Sequence, residues 1–201
     1  MSLKLDLDIT QGKTFTVNFR WATRPYVYKP ITALAMDAPL RITVPQHGLT
    51  NGWPVAIVGV TGRGGKAISA ANSPPRPNEY RLARVVDPET LEFDDVNAAL
   101  LGDASGGHIQ FMTPRDLTGR SVCMMIRNRV GGDILFTATT DNGYIVVDEA
   151  ELLITLRIPP TLTETFAWTS GVYDIEITDG TDVDLLAQGA VSVAKEVTIC
   201  G

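Results

Sequence analysis

The chain has 201 residues, 44% of them hydrophobic and 20% charged. That is the composition of a folded globular protein and excludes a disordered or fibrous one. A formal net charge of -6 repels polyanions, so nucleic acid is not an expected partner. No apolar run approaches the ~20 residues that cross a bilayer, and the start MSLKLDLD lacks the basic-then-apolar layout of a signal peptide; the expectation is a soluble chain made in a cytoplasm, with no membrane insertion.

Alternation with period two runs through the sequence and places successive side chains on opposite faces of strands. Leu3, Leu5, Leu7 and Ile9 alternate with polar residues, and after the turn signal Gln11-Gly12 so do Phe15, Val17, Phe19 and Trp21. The pair reads as a hairpin. Short apolar stretches follow at Leu40 to Val44, Val55 to Val60, Tyr80 to Val86 and Leu91 to Phe93. Later come Leu152, Ile154, Leu156 and Ile158, then Tyr173, Ile175 and Ile177, then Val191, Val193 and Val197, with turn signals at Asp141-Asn142-Gly143 and Asp179-Gly180. The strongest helical candidate, Thr163 to Trp168, is long enough for one or two turns. Many short strands separated by turn chemistry indicate an all-β sandwich or barrel.

Residues 30 to 113 hold eight of the twelve prolines. Pro74, Pro75 and Pro77 make Asn72 to Asn78 a loop, because proline cannot donate to a β-ladder. The surrounding short strands suffice for a small barrel. A lone N-terminal hairpin would be marginal in water and needs strands from beyond residue 114 to cover its apolar face. The expected organisation is therefore a discontinuous domain of residues 1 to 29 and 114 to 201, interrupted by a small barrel of residues 30 to 113.

Side chains able to carry chemistry are few. Cys123 lies in an apolar strand and reads as a small buried hydrophobe; Cys200 reads as an incidental tail residue. His47 is expected to bond the turn backbone before Gly48, and neither His47 nor His108 has a metal-ligand partner at recognisable spacing. Gly62-Arg-Gly-Gly65 is not a Walker sequence and reads as a hairpin turn without a following helix. Asp179, Asp182 and Asp184 lack the spacing of a calcium loop, and Asp148, Glu149 and Glu151 flank a turn as solvated charge. Trp21, Trp53 and Trp168 could together form a sugar-stacking platform, but three scattered tryptophans read rather as core or interface anchors. No catalytic residue, cofactor or metal is assigned, and the chain is expected not to be an enzyme. Trp53 and Tyr80, near the proline-rich loop, are the candidates for an exposed surface that contacts a glycan.

Two resemblances add to this reading. Asp116-Leu-Thr-Gly119 with the strand Ser121 to Arg127, preceded by Thr14 to Trp21 and followed by Gly171 to Ile177 and Gly189 to Thr198, resembles the immunoglobulin-like module of phage tail and baseplate proteins, including the N-terminal domains of baseplate upper proteins. Pro45-Gln-His-Gly-Leu-Thr-Asn-Gly52, followed by Val55 to Val60, resembles the "HGL-x-x-G" module of phage and prophage proteins, a small β-barrel that sequence comparison labels after a domain of ubiquitin-activating enzymes. Its later strands are matched by Tyr80 to Val86, Thr90 to Phe93 and Gly106 to Phe111. The resemblances imply a discontinuous immunoglobulin-like sandwich with an inserted barrel. They also imply a structural role in a tailed-phage virion, made in the bacterial host cytoplasm, with other virion proteins and further copies of the chain as partners. The alternative is a host-surface carbohydrate-binding module of the particle, using Trp53 and Tyr80.

Overall fold

A computed structural model describes residues 3–197, so Thr198 and Cys200 lie outside the described residues. The chain is all-β. Its strands are, in order, β1 (Leu3–Lys4), β2 (Leu7–Thr10) and β3 (Phe15–Phe19); β4 (Ala22–Pro30), β5 (Ala33–Ala35), β6 (Leu40–Thr43), β7 (Trp53–Val58), β8 (Arg81–Asp87), β9 (Thr90–Phe93) and β10 (His108–Pro114); and β11 (Ser121–Arg127), β12 (Ile134–Thr139), β13 (Ile145–Asp148), β14 (Leu153–Ile158), β15 (Ser170–Thr178) and β16 (Val183–Ala194). Two single-turn helices, α1 (Gly65–Ile68) and α2 (Pro160–Thr163), lie between strands. No helix among the described residues is long and apolar enough to cross a membrane. The chain divides into two compact units, one running to Trp21 and resuming at Arg115, the other Ala22–Pro114.

The outer unit is a sandwich. One sheet has the order β1-β16-β15-β11-β12 with β2 also on β16, and the other is β13-β14-β3. With β11, β15 and β16 as strands C, F and G, and β3, β14 and β13 as B, E and D, this is the strand order of an immunoglobulin-type domain whose first strands pair in parallel with the last. The alternation seen in sequence fills the space between the sheets: Leu7, Ile9, Phe19, Val122, Met124, Ile126, Ile154, Leu156, Ile158, Ile175 and Ile177 share one core.

The turn at Gln11-Gly12 does not close a hairpin. β2 pairs with β16 in one sheet and β3 with β14 in the other, so the chain crosses the sandwich there. Period two reports which face is buried, and two strands that bury facing sides of one core look the same in sequence as two that pair. The Asp141 to Gly143 turn also crosses between sheets, whereas Asp179-Gly180 closes a true β15–β16 hairpin.

Between β1 and β2 the chain is pinned to β16: the Leu5 N–H donates to the Gln188 carbonyl at 3.1 Å, and the buried Tyr173 hydroxyl donates to the Leu5 carbonyl at 2.7 Å. A Cβ at Gly189 would stand 2.1 Å from the Leu5 carbonyl oxygen, so only glycine admits this approach. The helix falls at Pro160–Thr163, ahead of the predicted segment, because Pro160 supplies the preset φ of a first helical turn. Beyond it Phe166 returns to the core, 5% exposed.

The inserted unit is one curled sheet of order β4-β10-β7-β8-β9-β6-β5. Its first and last members are consecutive in the chain, joined only by Ile31 and Thr32. The Ile31 N–H donates to the Gly107 carbonyl at 3.1 Å and the Thr32 N–H to the Thr43 carbonyl at 2.9 Å. A strand that leaves one end of a sheet and rejoins the other within two residues curls that sheet into a barrel-like body. Inward-facing Leu40, Ile42, Val55, Ile57, Ala83, Leu91, Phe93, Ile109 and Phe111 fill it.

The insertion begins at Ala22, earlier than the predicted residue 30, and ends at Pro114. Without the alternation of the strands before it, β4 gave no sequence sign of its partner; it pairs along its length with β10, from Ala22 opposite Pro114 to Pro30 opposite His108. The two chain crossings are adjacent, since the Arg115 N–H donates to the Trp21 carbonyl at 3.0 Å.

Candidate functional site

Trp53 does not offer a surface for a ligand. It shares the parity of Val55 and Ile57 on β7, faces the interior of the inserted unit and is 1% exposed. This corrects the expectation of an exposed Trp53; its shared parity with Val55 and Ile57 is the one signal in the sequence that pointed to the core. Tyr80 is half-buried. Its hydroxyl accepts a hydrogen bond from Gln110 Nε2 at 2.9 Å, and burial, with Tyr26 beside it, pushes its pKa up to about 12. The two residues therefore form no joint aromatic platform.

Tyr80 sits beside the proline-rich loop, whose shape is set by a carboxylate. Glu79 accepts the N–H groups of Arg76 at 2.7 Å and Ala71 at 2.6 Å, and both the backbone N–H and the side-chain amide of Asn72. These bonds, that from Arg76 foremost, hold the Glu79 carboxyl below the usual carboxylate range. A lowered folded-state value means stabilisation that is present above the ordinary carboxylate range and lost as pH falls through the lowered one. The protection factors of the Ala71, Asn72 and Arg76 amides, taken relative to the intrinsic exchange rate at each pH, should fall on acidification over that window, and Glu79→Gln should remove the pH dependence; protection that stays constant would show that the carboxylate does not order the loop.

The other polar candidates are likewise engaged in structure. His47, 3% exposed, accepts the Leu49 N–H at Nδ1 (3.1 Å) while its Nε2 donates to the Asp87 carbonyl (2.8 Å), so the ring braces the turn as expected. His108 is half-buried, its ring tilted against Tyr28 with centroids 5.4 Å apart. Gly62 to Gly65 is not a hairpin turn: it leads directly into α1, and a Cβ on Gly64 would stand 2.5 Å from the Gly102 carbonyl oxygen. The glycines serve the close packing of two loops, and sequence spacing gave no sign of the distant Gly102.

Asp116 Oδ1 accepts both the N–H and the hydroxyl of Thr118, at 2.9 and 2.7 Å, which builds the DLTG turn. Asp179 similarly takes the N–H groups of Thr181 and Asp182 and pairs with Arg120 at 2.7 Å. Glu149 accepts the Gly119 N–H at 2.9 Å and Asp148 the Glu151 N–H at 2.9 Å, so these carboxylates brace turns. Among the described residues no cluster of three or more His, Cys, Asp or Glu side chains is placed to hold a metal.

Trp21 is buried between the guanidinium groups of Arg115 and Arg120, 5.0 and 5.2 Å from its ring, and Trp168 stacks on Phe166. Cys123 is half-buried on the outer face of its sheet rather than fully buried, and desolvation, with Glu176 and Asp174 adding to it, pushes its thiol up, away from a nucleophilic thiolate.

Two surface features escaped the sequence reading. A shallow depression of about 510 Å³ lies on the outer face of the larger sandwich sheet, lined among others by Lys4, Met125, Arg127, Val172, Asp174 and Gln188. Apolar groups and charges of both signs line it together. Its residues come from four strands, the segment after β1 and the β11–β12 hairpin, so no local motif announces it. The second is the outer edge of β12, with Ile134 exposed on the strand and Val130 in the preceding hairpin. No family model matches the chain, and the search of curated proteins found no similar sequence.

Proposed function

We propose that this chain is a non-enzymatic structural component of a tailed-phage or prophage particle, a tail, baseplate or adaptor protein that acts by holding neighbouring subunits. The observation that carries the reading is the nesting itself. A barrel-like unit bearing the HGL turn interrupts an immunoglobulin-type sandwich between strands β3 and β11, and the DLTG turn opens β11, in the order that the two phage-module resemblances imply. Support also comes from the chemistry: His47 and the carboxylates of Glu79, Asp116 and Glu149 brace turns and loops. Subunit contacts would fall on the mixed-charge depression and on exposed apolar side chains such as Leu82 and Tyr28, which are 67% and 58% exposed.

The carbohydrate-binding alternative loses its first aromatic with Trp53 in the core. Deleting the gene from the phage or prophage that encodes it should yield incomplete, non-infectious particles, and mass spectrometry of purified wild-type particles should detect the chain. Complete infectious particles made without it would sink the proposal.

A further inference from the structure

Two of the chain's asparagines precede glycine, Asn51 and Asn142. At such a pair the glycine nitrogen can attack the side-chain amide carbon, since no Cβ on the glycine crowds the approach. Both asparagines are exposed and lie in turns, but the fold treats the reacting atoms of the two pairs differently. At Asn51 the nucleophile is committed. The Gly52 N–H donates to the Ala83 carbonyl at 2.8 Å, next to the β7–β8 pairing of Trp53 with Ala83, so this nitrogen reacts only after that bond opens.

At Asn142 the nucleophile is open. Among the described residues the Gly143 N–H has no hydrogen-bond partner, Gly143 is exposed, and a Cβ built on it would meet nothing within 4 Å. The carboxamide is the part that is held, by contacts that match the attack. Asn142 Oδ1 accepts the N–H groups of Thr139 at 2.9 Å and Tyr144 at 3.3 Å, and its Nδ2 donates to the Thr137 carbonyl at 3.1 Å. Attack at Cγ places negative charge on Oδ1, and the nitrogen becomes ammonium-like as it leaves, so all three bonds strengthen along the reaction.

We propose that Asn142 is a site of spontaneous modification, the asparagine at which the folded chain deamidates. The Gly143 nitrogen gives up its proton and bonds to Asn142 Cγ; the Cγ–Nδ2 bond breaks and ammonia leaves, closing a succinimide ring. Water then opens the ring at either carbonyl to leave aspartate or isoaspartate, so amide and water become acid and ammonia with no oxidant or cofactor. Isoaspartate adds a methylene to the backbone, and the new carboxylate stands next to Asp141 in the connection from β12 to β13, where the chain crosses between the sandwich sheets. The inference concerns the isolated chain and does not depend on the proposed role in a particle.

The test uses the full wild-type chain, incubated at mildly alkaline pH both folded and in urea. Trypsin releases residues 42–63 and 130–157 as peptides that each contain one asparagine, so mass spectrometry reads the two sites separately. In the folded chain Asn142 should convert at least about tenfold faster than Asn51, because one ordinary hydrogen bond is worth about a decade in a rate. Isoaspartate should be the main product, as ring opening requires, and in urea the two rates should converge. An Asn142 that converts no faster than Asn51 in the folded chain would overturn the proposal. So would a gap of the same size that persists in urea, or a product that is aspartate alone, which direct hydrolysis would give.

Discussion

Trp53→Ala should remove about 3–5 kcal/mol from the inserted unit, the cost of deleting a large buried aromatic whose space the surroundings refill only partly. Trp53 is among the largest fully buried side chains, on β7 opposite Ala83, itself out of solvent. A unit of this size has only about 5–15 kcal/mol in all. Its melting temperature should fall by on the order of 20 °C. Calorimetry of the full chain should resolve two transitions, with only one of them shifted. If both move together, the units unfold as one. The same variant separates the two readings of the residue. A core role predicts that Trp53→Phe retains most of the stability, whereas a surface role predicts wild-type stability for both variants.

Replacing Arg41 and Arg84 together by methionine should cost the inserted unit about 3–5 kcal/mol, because it leaves a carboxylate buried without a partner. On the outer face of the curled sheet Arg41, Glu92 and Arg84 stand side by side on β6, β9 and β8, and both guanidinium groups pair with the one carboxylate. The Glu92 side chain is 1% exposed, while those of Arg41 and Arg84 are 54% and 46% exposed. The asymmetry decides the outcome. Glu92→Met should cost only about 1 kcal/mol, since both arginines keep access to water and Arg84 keeps Asp94 at 3.3 Å. Urea unfolding of the three chains measures the difference. An equal loss in both variants would show that Glu92 finds water once its partners are gone.

Glu92 did not stand out in the sequence. Glu92 occupies an outward position on β9 and reads as a solvated charge; it is buried because the strands on either side each place an arginine over it. Side-chain type and spacing carry no record of which strands become neighbours.

What the sequence determined by itself is the class and the local chemistry. Alternation made the chain all-β, proline placement set the 72 to 78 loop apart, and Asp116, Asp179 and His47 form the turns that their residue types favour. Only the tertiary structure decided pairing. It turned the Gln11-Gly12 connection from a hairpin into a sheet crossing, gave residues 22–29 to the inserted unit, and put Trp53 in a core. The physical reason is that period two fixes the buried face of a strand through its own side chains, while its neighbours are chosen by backbone hydrogen bonds to residues far away in the chain.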